Sequence, residues 1–193
     1  MPTPDRTSLP AIVAAARAIV EDKGTAGLTM QSVAERVGVR APSLYKRVEN
    51  RDALVRLVVE SMLGELGEAL AAASGPADDP RAALAAIARA FRAFALRSPV
   101  SYAMVFGPLP AASRPDRELL LSASAPVLRV SAALVGDEDA LEAARTVTAW
   151  ANGFLAMELS GSFQLGGDVA AAYEYGVALL SDALTARGGA TQS

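Results

Sequence analysis

The chain has 193 residues, 52% of them apolar, and a formal net charge of −3. That is long enough for one or two domains with a sizeable core and too apolar for a disordered chain. It contains neither cysteine nor histidine, which excludes disulfides, thiolate and imidazole metal sites, thiol nucleophiles and any triad built on a histidine base.

Helical periodicity runs along the chain and no segment alternates like a strand, so the expected fold is all-α with about nine helices. Residues 1–7 are polar, contain two prolines and read as a mobile lead-in. Helix 1 is expected over about Leu9–Asp22, with Ile12, Ala16, Ile19 and Val20 inward and Gly24 closing it. Thr29 caps a second helix, Leu28 and Val33 staple its start, and Val33, Ala34 and Val37 form its buried stripe. Gly38 supplies the positive φ that ends it. Pro42 suits the first turn of a third helix, Ser43–Val48, which turns Leu44 and Val48 inward and Ser43, Tyr45, Lys46 and Arg47 outward. Asn50 caps a fourth helix that runs from Arg51 to about Ala73, too long to belong to the head alone, and Ser74-Gly75-Pro76 stops it. Asp78-Asp79-Pro80 opens a helix over Arg81–Arg97, and a shorter one follows Ser98-Pro99 over Val100–Phe106. Residues 115–135 form the next, with Leu119, Leu120, Ala123, Val127, Val130 and Leu134 inward and a kink or break expected at Pro126. The last two helices span about Glu138–Ser160 and Asp168–Ala186, and the tail from Gly188 reads as frayed.

Residues 28–56 thus hold two short helices about a tight turn, followed at once by a long helix, the layout of a helix-turn-helix. Residues 1–56 carry nine Lys/Arg and six Asp/Glu, residues 57–193 nine and fifteen. A basic head on an acidic body fits phosphate binding confined to one end. The boundaries expected are 1–56 for a DNA-binding domain and 57–193 for a second, larger helical domain. With no charged leader ahead of a cleavage site and no uninterrupted apolar run approaching ~18 residues, a soluble cytoplasmic protein is expected.

Thr29, Val33-Ala34, Gly38-Val39, Leu44-Tyr45, Val48 and Arg51-Asp52-Ala53-Leu54 resemble the DNA-binding domain of the TetR family of bacterial transcriptional regulators. Arg51 stands where the family usually has lysine, and Val48 replaces the commoner phenylalanine. The resemblance implies that the short third helix enters the major groove. Arg40, Ala41, Pro42, Ser43 and Lys46 would then face the bases or the groove wall. Arg40 and Lys46 donate to guanine O6 and N7, Ser43 pairs with any base edge, and Ala41 and Pro42 meet a thymine methyl. Gln31 takes a base-reading place and favours adenine. Thr29, Tyr45, Arg47 and Arg51 contact phosphates, which position without reading. The ring of Tyr45 also serves the core of the head, and Arg47 could equally be a solvated charge.

In the last third, Trp150, Asn152-Gly153-Phe154, Glu158-Leu159, Gly161 and Phe163 resemble a class of TetR ligand domains marked by a tryptophan and a His-Gly pair; Asn152 stands in place of the histidine. That resemblance implies dimerisation and ligand sensing in the larger domain. The bulky pocket candidates are Phe91, Phe94, Met104, Phe106, Trp150, Phe154 and Met157, with Tyr102, Asn152 and Glu158 as polar groups that orient a small, largely apolar ligand. Each of these has core packing as its alternative role, and Glu158 either recognises a cation or faces solvent. Ala144, Thr148, Ala151 and Leu155 on one helix, with Ala172, Gly176, Leu179 and Ala183 on the next, are the expected homodimer surface; intramolecular packing is the alternative.

The function expected is a ligand-responsive repressor that binds a palindromic double-stranded DNA operator as a homodimer, with no membrane partner, cofactor, metal or catalytic site. A helical enzyme would need a base, nucleophile or metal set, and no Glu-x-x-His pair or inward acidic cluster is present. A helical scaffold without DNA binding leaves the outward Arg40, Lys46 and Arg47 beside a Gly-Val turn unexplained.

Overall fold

The computed structural model describes residues 8–75 and 79–191. The expectations for residues 1–7, Pro76 and Asp78 lie outside the described residues. The described residues hold nine α-helices and two short 3₁₀ turns, with no strand. The helices are α1 (Leu9–Lys23), α2 (Met30–Val37), α3 (Ala41–Leu44), α4 (Arg51–Ser74), α5 (Pro80–Arg97), α6 (Pro99–Phe106), α7 (Arg117–Val135), α8 (Ala140–Leu159) and α9 (Val169–Thr191).

Two compact units emerge. One contains residues up to Gly64 together with Ser98–Leu120, the other Glu65–Arg97 and Leu121 onward. The N-terminal unit therefore recruits α6 and the segment after it, beyond the 1–56 boundary expected from sequence. Its core is built by Ile12, Ala16, Ile19 and Val20 of α1, Val33 and Ala34 of α2, Leu44, Val48, and Leu54, Val58, Val59 and Met62 of α4. Ser8 caps α1 and Asn50 Oδ1 accepts from the Ala53 amide at 2.9 Å, each satisfying a donor at a helix start. α6 lies against α1, where Ser101 Oγ donates to Glu21.

In the C-terminal unit, α5 buries Leu84, Ile87, Ala88, Phe91 and Phe94 and packs on α8 and α9. Tyr173 is 1% exposed, and its hydroxyl donates to the Ala88 carbonyl at 2.9 Å, so its polar tip is satisfied inside the core. Arg89 makes a forked pair with Glu174, and Arg92 pairs with Glu158. α7 continues through Pro126 without a break, Pro126 is itself buried, and Leu120 is 44% exposed rather than inward. α7 is also long and apolar enough to cross a membrane by length and composition, but it buries Ala123, Val130, Leu134 and Val135 in protein.

The expected frayed tail is helical to Thr191. Gly188 is buried, and a Cβ there would run into the Leu134 carbonyl. The low apolar content of the tail suggested fraying, but the absence of a side chain at Gly188 is what lets α9 approach the end of α7.

Candidate nucleic-acid interface

The turn between α2 and α3 is built by local chemistry. Thr29 Oγ1 accepts from the Ser32 amide at 3.0 Å, and Ser32 Oγ accepts from the Thr29 amide at 3.0 Å, a reciprocal capping box. At the other end Gly38 is left-handed, φ 76° and ψ 36°, and the Val39 amide donates to the Ala34 carbonyl at 2.9 Å. That bond satisfies a carbonyl at the end of α2 and reverses the chain.

Arg40 then holds extended backbone as the N-cap of α3, with Pro42 inside the first turn. The third helix is shorter than the Ser43–Val48 stretch expected. It covers only Ala41–Leu44, after which Arg47 and Val48 amides both donate to Leu44 O, at 2.8 and 2.9 Å. Tightening to an i+3 bond is the ordinary way a helix end satisfies its carbonyls. Leu44 is wholly buried and Val48 is 2% exposed, so these two side chains anchor the segment.

With those anchors inward, Gln31, Arg40, Pro42, Tyr45, Lys46 and Arg47 are exposed, and Ala41 and Ser43 are half-buried. Tyr45 is 54% exposed, so its ring is not taken up by the core. Gln31 Nε2 donates to Glu35 Oε1 at 2.7 Å, one helical turn along the same face. Thr29 is engaged in the capping box. Arg51 Nε and Nη2 donate to the carbonyls of Leu28 and Thr25 at 2.8 and 3.0 Å, which clasps the start of α2 to the start of α4. Sequence reasoning did not find that clasp, because it joins residues 23 and 26 positions apart. The serine three residues after the Thr29 cap was the available signal for the capping box.

The ten expected ligand-pocket residues divide between the two units. Tyr102, Met104 and Phe106 belong to the N-terminal unit. There Tyr102 and Met104 are buried, burial raises the Tyr102 phenol above its usual pKa, and Phe106 is 39% exposed. Phe91, Phe94, Trp150, Asn152, Phe154, Met157 and Glu158 belong to the C-terminal unit. In it Trp150, Phe154, Phe163 and Tyr173 pack ring on ring, with centroids 4.9–5.8 Å apart. Glu158 neither faces solvent nor awaits a cationic ligand, since Arg92 already neutralises it. The Arg92 guanidinium also lies 5.7 Å from the Tyr173 ring centre, and its hydrogen bond to Glu158 raises its own pKa further. Met157 is 46% exposed.

Of the expected dimer stripe, Thr148, Ala172, Leu179 and Ala183 are exposed, and the other four residues need correction. Ala144, Ala151 and Leu155 are buried within the unit, and Gly176 receives the Trp150 ring. These residues pack intramolecularly. The exposed residues of α8 include Leu141, Thr148, Ala149, Gly153, Ala156 and Met157, and those of α9 include Ala172, Tyr175, Leu179 and Ala183.

Comparison with known proteins adds identity to this geometry. Residues 12–58 match the family described as bacterial regulatory proteins, tetR family, and residues 84–180 match the tetracyclin repressor-like C-terminal domain. The HTH-type transcriptional regulator Rv1816 of Mycobacterium tuberculosis is 32% identical over 110 residues, 55% of this chain and 47% of that protein. The chain thus spans about half the length of that regulator. Among solved structures, the regulatory protein SCO4313 superposes with a TM-score of 0.76 at 27% identity, covering 91% of this chain and 96% of its own. BioQ of Mycobacterium smegmatis gives 0.67 at 27% identity, covering 94% and 99%. The capped and anchored helix-turn-helix, the helical C-terminal unit and both family matches lead to one conclusion: the chain belongs to the TetR family of bacterial transcriptional regulators, with α2 and α3 as its helix-turn-helix.

Proposed function

We propose that this regulator is a cytoplasmic, ligand-responsive repressor that binds a palindromic operator as a homodimer. The observation that carries the reading is the exposed set of Gln31, Arg40, Pro42 and Lys46, held by a helix-turn-helix anchored through Met30, Val33, Ala34, Leu44 and Val48, with Val37 half-buried. Arg40 and Lys46 donate to guanine O6 and N7, Gln31 pairs with adenine, and Ala41 and Pro42 meet a thymine methyl. Ser43 tolerates any base edge. Thr29, Tyr45 and Arg47 take phosphates, while Arg51 contributes by clasping α2 in place.

A four-residue recognition helix reads few bases, so specificity requires two heads about 34 Å apart on an inverted repeat. The outer faces of α8 and α9 suit the pairing. Gly153 is exposed inside α8 with open space where a Cβ would sit. A mid-helix glycine costs about 1 kcal/mol relative to alanine, which close approach of a second copy's helix offsets. In this reading residues 1–56 bind DNA and 57–193 dimerise and sense a small, mainly apolar ligand. Ligand favours a state whose head spacing no longer fits the operator, and operator weakens ligand binding by the same factor.

The test is sedimentation and duplex anisotropy of the native chain and Gly153→Arg. The native chain should sediment as a dimer and hold an inverted repeat; the variant should be monomeric and bind it about 100-fold more weakly. A native monomer that binds the repeat with full affinity would overturn the dimeric reading.

A further inference from the structure

The N-terminal unit contains a cleft of about 490 Å³ that DNA reading leaves unused, a size within the range of small-molecule sites. Val55 and Met104 form its buried apolar floor, flanked by Val100 and Leu109. Its polar end is made by Arg51 and Asp52, adjacent in sequence and opposite in charge. Both are partly engaged: Arg51 Nε and Nη2 with the carbonyls of Leu28 and Thr25, Asp52 Oδ1 with Ser113 Oγ at 3.2 Å. Among the described residues, Arg51 Nη1 and Asp52 Oδ2 take no hydrogen bond.

We propose that this cleft binds a compact apolar molecule whose head group is neutral and both donates and accepts hydrogen bonds, as a carboxamide does. The proposal rests on the ligand-responsive reading above for its regulatory meaning, gives the ligand a chemical class, and places it in the N-terminal unit, on residues from both sides of the 56/57 boundary, instead of within 57–193. The charges select the class. A carboxylate head gains from Arg51 but meets the Asp52 carboxylate beside it, and an ammonium head meets the reverse, so each loses about what it gains. A carboxamide oxygen accepts from Arg51 Nη1 while its amino group donates to Asp52 Oδ2, so each of the two atoms left without a protein partner gains one. The alkyl part covers Val55 and Met104.

The experiment uses three probes with one tail and different heads: hexanamide, hexanoate and hexylammonium. Each is titrated into the full chain while the Met104 methyl resonance, assigned by Met104→Leu, is followed. Hexanamide should saturate with a Kd of about 1 mM, as its size allows, and both charged probes should bind at least about tenfold more weakly. Ala103→Phe, which fills the cleft from its exposed side, should abolish the shift. Asp52→Asn should bring hexanoate level with hexanamide or beyond it. No Met104 shift with hexanamide at tens of millimolar, or equal binding of all three heads to the native chain, would overturn the proposal; so would an Asp52→Asn variant that leaves the order of heads unchanged. Anisotropy with duplex DNA on the same samples separates the two readings. A chain that binds an inverted repeat but shows no shift loses the cleft alone, and one that binds hexanamide but no DNA loses the operator reading alone.

Discussion

Leu44→Ala tests how the recognition segment is held. Leu44 is wholly buried and is the sole buried residue of the four-residue α3. The substitution deletes three carbons at about 0.8 kcal/mol each and leaves a cavity, for a loss of about 3 kcal/mol. At 2–4 °C per kcal/mol for a chain of this size, the melting temperature should fall by about 6–12 °C. Leu44→Met keeps the volume and should cost less than about 1.5 kcal/mol. Urea melts followed by circular dichroism give the stabilities. Duplex anisotropy, well below either melting point, then reads the effect on DNA. Lys46 and Arg47 survive in the variant, so salt-sensitive binding to random duplex should persist while discrimination between sequences falls. A Leu44→Ala chain within about 0.5 kcal/mol of native, the range of an ordinary surface change, would refute the anchoring argument.

Gly176→Ala places a methyl against the Trp150 ring and should cost about 1–3 kcal/mol in urea melts; an unchanged melt would mean that Trp150 is not seated there. Gly38→Val forces a branched residue into the left-handed turn and should lose about 1–2 kcal/mol together with operator binding, whereas Gly38→Asn should lose less of both. Arg89, through its hydrogen bond and charge, holds the Glu174 carboxyl below its usual pKa. The stability this contributes is therefore full above the ordinary glutamate pKa of about 4.3 and lost as pH falls through the lowered folded value. Glu174→Gln should accordingly flatten the acid limb of stability against pH, by a small amount because the pair is exposed. Equal acid limbs would contradict it.

Local chemistry carried the N-terminal reading. Thr29, Gly38, Pro42 and Asn50 each act on the backbone within a few residues, and the structure uses each where its chemistry requires. Periodicity was equally reliable in α1, where the four predicted inward residues are the four buried ones. It failed in part on α8, because alanines occur on every face of that helix and carry little burial signal; of the four residues chosen there for the dimer, Ala144, Ala151 and Leu155 belong to the core and Thr148 is exposed. Long-range pairing was out of reach. Arg92 finds Glu158 across 66 residues and the Arg51 clasp spans more than 20, and no local pattern marks either pair. For the same reason the division of the pocket candidates followed from α6 packing on α1, which places Met104 with the head.

Selection of bound duplexes from a random pool, run in parallel with the native chain and Arg40→Ala, tests the central claim most directly. The account predicts an inverted repeat for the native chain, relaxed by Arg40→Ala at one position in each half-site, at a cost of about 1–3 kcal/mol per contact. Salt-sensitive binding with no enriched sequence, or an identical repeat from both proteins, would contradict it.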